Sequence, residues 1–190
     1  MQIENTRLSG VKILRPRRIN DLQGHFQESW NERQFSKAGL PSRFDHETQC
    51  FVRMAGMRRG LHYQAPPFAQ ERLVRVLTGE VLQVAVDART GSPTYGEWTC
   101  AILNASNGRQ MFIPDGCLHG FLTLAPETTL LSKTTEAHQT QAQGSVQAAD
   151  SGLAIDWGMP EASILTDMRD HGAQPFAEWP SPFVCRDFAA

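Results

Sequence analysis

Apolar positions in this chain come in short runs parted by turn residues, with no long helical stripe. Val11 to Leu14 is the first run, followed by a link containing Pro, Asn and Asp. Leu73 to Val76 ends near Thr78-Gly79, a turn signal. Val81 to Asp87 reads as a strand with Leu82, Val84 and Val86 on one face, and Thr90-Gly91-Ser92-Pro93 breaks it. Trp98 to Leu103, Gln110 to Ile113, Gly120 to Leu124 and Thr129 to Thr134 are further strands. Asn107-Gly108, Pro114-Asp115-Gly116 and Ala125-Pro126-Glu127 separate them. Turn signals every ~8–12 residues predict an antiparallel sandwich or barrel, not βαβ units. One helix is expected, Trp30 to Ala38, with Ser29 as its N-cap and Gly39 closing it. After Thr134 the chain turns polar and reads as loop up to the apolar Leu153-Ala154-Ile155. With no internal repeat and no dividing linker, residues 1–190 form a single β-rich domain with a less regular C-terminal region.

Composition narrows the class of protein. With 41% hydrophobic and 20% charged residues it matches an ordinary globular chain. A net charge of -2 gives no reason to expect nucleic acid or an anionic membrane as partner. Between Arg53 and Arg75, however, basic residues outnumber acids, so any anion site should be local. Cys50, Cys100, Cys117 and Cys185 show no CxxC spacing and are expected as free thiols in a reducing compartment. The N-terminus lacks the apolar core of a secretion signal, and no apolar run approaches the ~20 residues that span a bilayer. A cytoplasmic protein is expected.

The chemistry starts at Arg58-Arg59-Gly60-Leu61-His62-Tyr63-Gln64. Here one histidine follows two arginines, and it reads equally as metal ligand, base beside an anion, or packed residue. The block Gly108-x5-Pro114-x-Gly116-x2-His119 resembles the second motif of the cupins, which are double-sheet jelly rolls, with Thr123 where an Asn is usual. A Pro-Asp-Gly turn there lets His119 emerge on the returning strand and point inward. Gly56, His62, Glu71 and Gly79 stand where the first cupin motif needs them, but Gln64 occupies the place of its second histidine. A metal cupin would be left with His62, His119 and Glu71, one imidazole short of a good ligand set. No metal and no cofactor are expected.

A longer resemblance covers Arg59 to Leu124. RGLHYQ, AQERLVRVLTGEVLQVAVDARTGSPTYGEW and NGRQMFIPDGCLHGFLTL are similar, in order, to segments of the dTDP-4-dehydrorhamnose 3,5-epimerase family. DLQGHFQES and Asp167-Met168-Arg169-Asp170 add weaker matches. The resemblance implies an all-β fold, a double-stranded β-helix or jelly roll (cupin) with a few short helices. It also implies a homodimer that epimerises a nucleotide-linked 4-keto-6-deoxy sugar at C3 and/or C5 without metal. A C4 ketone acidifies the neighbouring C–H groups. A base removes one proton, an enolate forms, and a proton returns from the opposite face.

By position, the resemblance makes His62 the base and Asp170 the carboxylate that fixes its tautomer, with Asp167 the competing choice. Arg59, Arg72, His119, Phe26, Glu28 and Gln64 fall at substrate-binding positions, Arg72 replacing a lysine near the keto oxygen. Three departures stand out. Ser132 occupies the place of the family's tyrosine acid, Gln23 that of an arginine, and Glu47-Thr48-Gln49 that of a QDN-type segment. A serine hydroxyl is a far weaker acid than a phenol, so Tyr63 and Cys117 are alternative acids. Two other readings compete: a non-catalytic sugar-nucleotide-binding homologue, and a metal-dependent cupin.

Overall fold

The computed structural model describes residues 1–185. In chain order its elements are β1 (Gln2–Asn5), β2 (Lys12–Arg15), β3 (Arg18–Asn20), β4 (His25–Gln27), α1 (Glu32–Lys37), β5 (His46–Val52), β6 (Met57–Gln64) and β7 (Arg72–Thr78). Then follow β8 (Glu80–Asp87), β9 (Trp98–Asn104), β10 (Gln110–Ile113), β11 (Cys117–Thr123), β12 (Thr128–Thr134), β13 (Gln143–Ser145) and β14 (Leu165–Thr166). One sheet runs β1-β2-β10-β7-β12-β5. The second runs β13-β6-β11-β8-β9, with β14 parallel to β6. Strands β3 and β4 form a separate hairpin. Neighbouring strands are mostly non-consecutive in the chain, as in a jelly roll, and short 3₁₀ turns occupy the C-terminal region.

Burial explains why the apolar runs looked as they did. Val74, Val76, Met111, Ile113 and Leu130 of the first sheet pack against Val81, Ala85 and Leu103 of the second, forming the core between the sheets. Leu82, Val84 and Val86, the face read from sequence, point the other way. They pack with Leu61, Leu118 and Leu122 under Val146, Leu153, Trp157, Trp179 and Phe183. The irregular C-terminal segment therefore covers the outer face of the second sheet. That double burial makes β8 almost continuously apolar, as expected for a strand covered on both sides. On the outer face of the first sheet, Leu14, Leu73 and Phe112 are capped by Phe35 of α1 and by Leu40.

The helix is shorter than expected at its start. Asn31, not Ser29, is the N-cap, its side chain accepting from the Gln34 backbone N–H at 3.0 Å. That bond satisfies an otherwise orphaned donor of the first turn. Ser29 instead uses its carbonyl to accept from Gln110 Nε2 at 2.8 Å, and Trp30 packs against Phe35 and Phe44. The polar stretch after Thr134 is not all loop, since β13 within it adds an edge to the second sheet. Strand β5 also escapes the apolar pattern, because its residues are mostly exposed or face a polar cleft.

Candidate functional site

A bulge in β6 builds the site. His119 pairs with His62, but two residues on, Phe121 pairs with Arg59, so three β6 residues are set against two of β11. One extra residue flips the alternation of side chains, and Arg59 and His62 both reach the space between the sheets. Arg58 is thrown to the outer face, where it is 3% exposed, paired with Glu161 and stacked over Trp157. The bulge requires close backbone approach: a Cβ on Gly60, whose φ is +107°, would lie 2.7 Å from the His119 carbonyl oxygen.

His62 opens onto a cleft of about 460 Å³ between the two sheets. Its Nε2 lies 2.6 Å from Asp170 Oδ1, while Asp170 Oδ2 accepts from the Gly60 backbone N–H at 2.8 Å. Asp170, buried at 8% exposure, is thus held by the bulge and in turn orients the imidazole. Asp167, the competing carboxylate, does not serve His62. It takes Arg169 in a two-pronged pair at 3.1 and 3.0 Å and lies 2.8 Å from Arg59 Nε. Arg169 and Arg59 hold its carboxyl well below the usual range.

The positive charge that remains faces the cleft. Among the described residues Arg72 has no carboxylate partner, and its Nη2 donates to Gln70 Oε1 at 3.0 Å. Burial brings its pKa down to about 10, so it stays charged at neutral pH. His119 lies with its ring centroid 6.1 Å from that of His62. Burial, then Arg72 and His62, push its pKa well below the ordinary value, so it is a neutral hydrogen-bonding group near pH 7. A cleft lined by Arg59, Arg72 and Arg169 suits an anionic ligand. His62, His119 and Glu71 do not come together: among the described residues no three His, Cys, Asp or Glu side chains gather as a metal site.

The opposite wall comes from the first sheet, where Thr48 and Cys50 of β5, Val74 of β7, and Leu130 and Ser132 of β12 border the cleft. Ser132 pairs in register with Thr48, and Leu130 with Cys50. Cys50 was legible in the sequence only as a free thiol; its sulfur here accepts from Arg59 Nη1 at 2.8 Å. Neither alternative acid fits. The Tyr63 ring packs on Trp179 and Phe183, and its hydroxyl accepts from Trp179 Nε1 at 3.0 Å. Cys117 is buried in the core between the sheets, and burial pushes its thiol up to about 12.

Three residues expected at the substrate do not meet His62 in this way. Gln64 spends its amide on backbone: Nε2 donates to Phe68 O at 2.6 Å and Ala137 O at 3.0 Å, and Oε1 accepts from Gln139 N at 2.8 Å. It is a loop fastener, because a buried amide must satisfy both its ends. Phe26 is 70% exposed on the β3–β4 hairpin and borders a different cleft, with Arg18, Arg75 and Arg109. Glu28 accepts from Gln34 Nε2 at 2.7 Å on the surface beside α1. Gln23, in place of the arginine, sits exposed in the hairpin turn.

Residues 5–178 match the family model described as dTDP-4-dehydrorhamnose 3,5-epimerase. An enzyme of that name from Pseudomonas aeruginosa is 39% identical over 94% of this chain and 97% of its own length. One from Sinorhizobium fredii is 34% identical over 96% and 93%. The Legionella pneumophila dTDP-6-deoxy-D-glucose-3,5-epimerase, solved in complex with dTDP-4-keto-L-rhamnose, superposes with a TM-score of 0.90. It is 34% identical, over 96% of this chain and 97% of that one. Sequence and fold agree over nearly the whole chain: it belongs to the dTDP-4-dehydrorhamnose 3,5-epimerase family, sugar epimerases and thus isomerases, and shares their β-sheet jelly roll.

Proposed function

We propose that the chain epimerises a nucleotide-linked 4-keto-6-deoxy sugar at C3, C5 or both, through an enolate. The observation that carries this is the His62–Asp170 pair at 2.6 Å, with His62 opening on the same cleft as Arg72, a cation without a carboxylate partner among the described residues. His62 takes the proton from carbon, with Asp170 holding its tautomer and balancing the imidazolium that forms. Arg72, with neutral His119 beside it, stabilises the charge that develops on the C4 oxygen. Arg59 and Arg169 at the cleft suit a nucleoside diphosphate. Phe26 and Glu28 lie away from their own chain's cleft; in this reading they complete the cleft of a second copy, in a homodimer.

The test is a panel of dTDP-, CDP- and GDP-linked 4-keto-6-deoxy sugars in heavy water, with deuterium at C3 and C5 followed by NMR. We expect incorporation at one or both carbons with at least one donor, and its loss in His62→Asn with the fold preserved. Absence of exchange with every donor overturns the proposal, and wild-type exchange in His62→Asn overturns the base assignment. Ser132 favours a second reading, a homologue that binds the sugar nucleotide without turning it over. Saturable dTDP binding by calorimetry with no exchange supports that one.

A further inference from the structure

We propose that the thiol of Cys50 is the acid that returns the proton, from the sugar face opposite His62. The inference rests on the epimerase reading above. A ring lodged in the cleft lies between two sheets: His62 comes from β6 of the second, and Cys50, Thr48 and Ser132 come from β5 and β12 of the first. Inversion needs a proton donor on the wall facing the base. Ser132 and Thr48 offer alcohols, which are too weak as acids, whereas thiols as a class titrate near pH ~8.5. Arg72, even at about 10, is the weaker acid and supplies the charge for the C4 oxygen.

The surroundings of Cys50 suit a group that must give up a proton and carry the charge left behind. Arg59 Nη1 lies 2.8 Å from its sulfur, so a cation stands beside the negative charge that sulfur carries once the proton has left. The step balances. The enolate electron pair forms the new C–H bond, the S–H bond breaks, and the C4 carbonyl is restored. The negative charge moves from the enolate to sulfur beside Arg59, while His62 keeps the proton it removed. Transfer of that proton through water back to sulfur resets both groups.

A second feature marks this part of the cleft as shaped for a polar ligand. Gln83, 1% exposed, borders the same cleft. Its Nε2 donates to the Gly120 carbonyl at 3.0 Å, which sets the orientation of the amide, and its Oε1 has no partner among the described residues. A buried acceptor without a donor is uncommon in a folded protein, and a small shift of the Gln83 amide toward the cleft would let a sugar hydroxyl supply one.

The experiment compares wild type, Cys50→Ala and Cys50→Ser in heavy water, measuring both configuration and deuterium at the exchanging carbon. Without an acid on the far face, deuterons return from His62, so the ratio of inversion to deuterium incorporation should fall ~100-fold or more in both variants. Inversion at the wild-type rate in Cys50→Ala overturns the proposal and leaves the epimerase reading intact. No exchange by wild type with any donor overturns both. Should neither variant fold, iodoacetamide labelling of wild type with peptide mass mapping decides. Labelling of Cys50 should be slowed by dTDP and should abolish inversion in step. A protein fully alkylated at Cys50 that still inverts at full rate overturns it, as does a Cys50 that stays unlabelled while exposed Cys100 reacts to completion.

Discussion

His119 is the residue whose protonation the fold most resists, through burial first and then the nearby Arg72 and His62. A histidine with a lowered folded pKa makes the unfolded chain bind more protons below its ordinary value near 6.5, so stability falls as pH drops through and below that value. We expect the wild-type thermal midpoint to decline from about pH 6.5 downward, and the decline to be shallower in His119→Gln; equal slopes in the two proteins would refute the assignment. At this scale the sequence carried part of the site. His62, His119 and Arg59 stand in motifs whose spacing survives any packing detail. Cys50 and Gln83 were illegible as functional groups, since nothing local says which neighbours a strand residue meets across two sheets.

The bulge in β6 is the element that converts the motif into a site. Arg59 and His62 are three apart, and regular alternation would put them on opposite faces. Gly60 permits the bulge because its backbone runs against His119 and Gly120, at a φ of +107°. Gly60→Ala forces a Cβ against the His119 carbonyl, so it should cost about 1–3 kcal/mol of stability and lower kcat through displacement of His62 and Asp170. A urea midpoint and turnover both equal to wild type would show that the strand absorbs the methyl group. Strands β7 to β12 were foreseeable from their apolar runs and turn residues. Strand β5 was not, because half of it lines the cleft and its alternation carries polar groups on both faces. The helix starts later than Ser29 signals for a local reason: Asn31 competes for the cap and reaches the first-turn N–H.

Across the whole molecule, the chain segments that meet at the cleft are far apart in sequence. Asp170 reaches His62 only because residues 146–183 wrap the outer face of the second sheet, where Trp157, Trp179 and Phe183 bury its apolar side. In the proposed homodimer, Phe26 and Glu28 would extend that logic to a second copy. Mixing His62→Asn with Phe26→Ala should restore turnover, since a mixed dimer unites intact His62 of one chain with intact Phe26 of its partner. Activity no greater than the sum of the two variants would show that Phe26 serves no neighbouring cleft. Light scattering would establish the oligomer in the same samples.

The sequence alone determined the fold class, the order of the later strands, and the family to which His62, His119 and Asp170 point, because turn residues and co-linear motifs act over short distances. Tertiary structure decided which carboxylate serves His62. It turned Gln64 into a loop fastener and withdrew Tyr63 and Cys117 from the cleft. It also brought Cys50 of the first sheet and His62 of the second to the same cleft. Each of those outcomes depends on which face of a strand meets which sheet, and a single bulged residue reverses that choice.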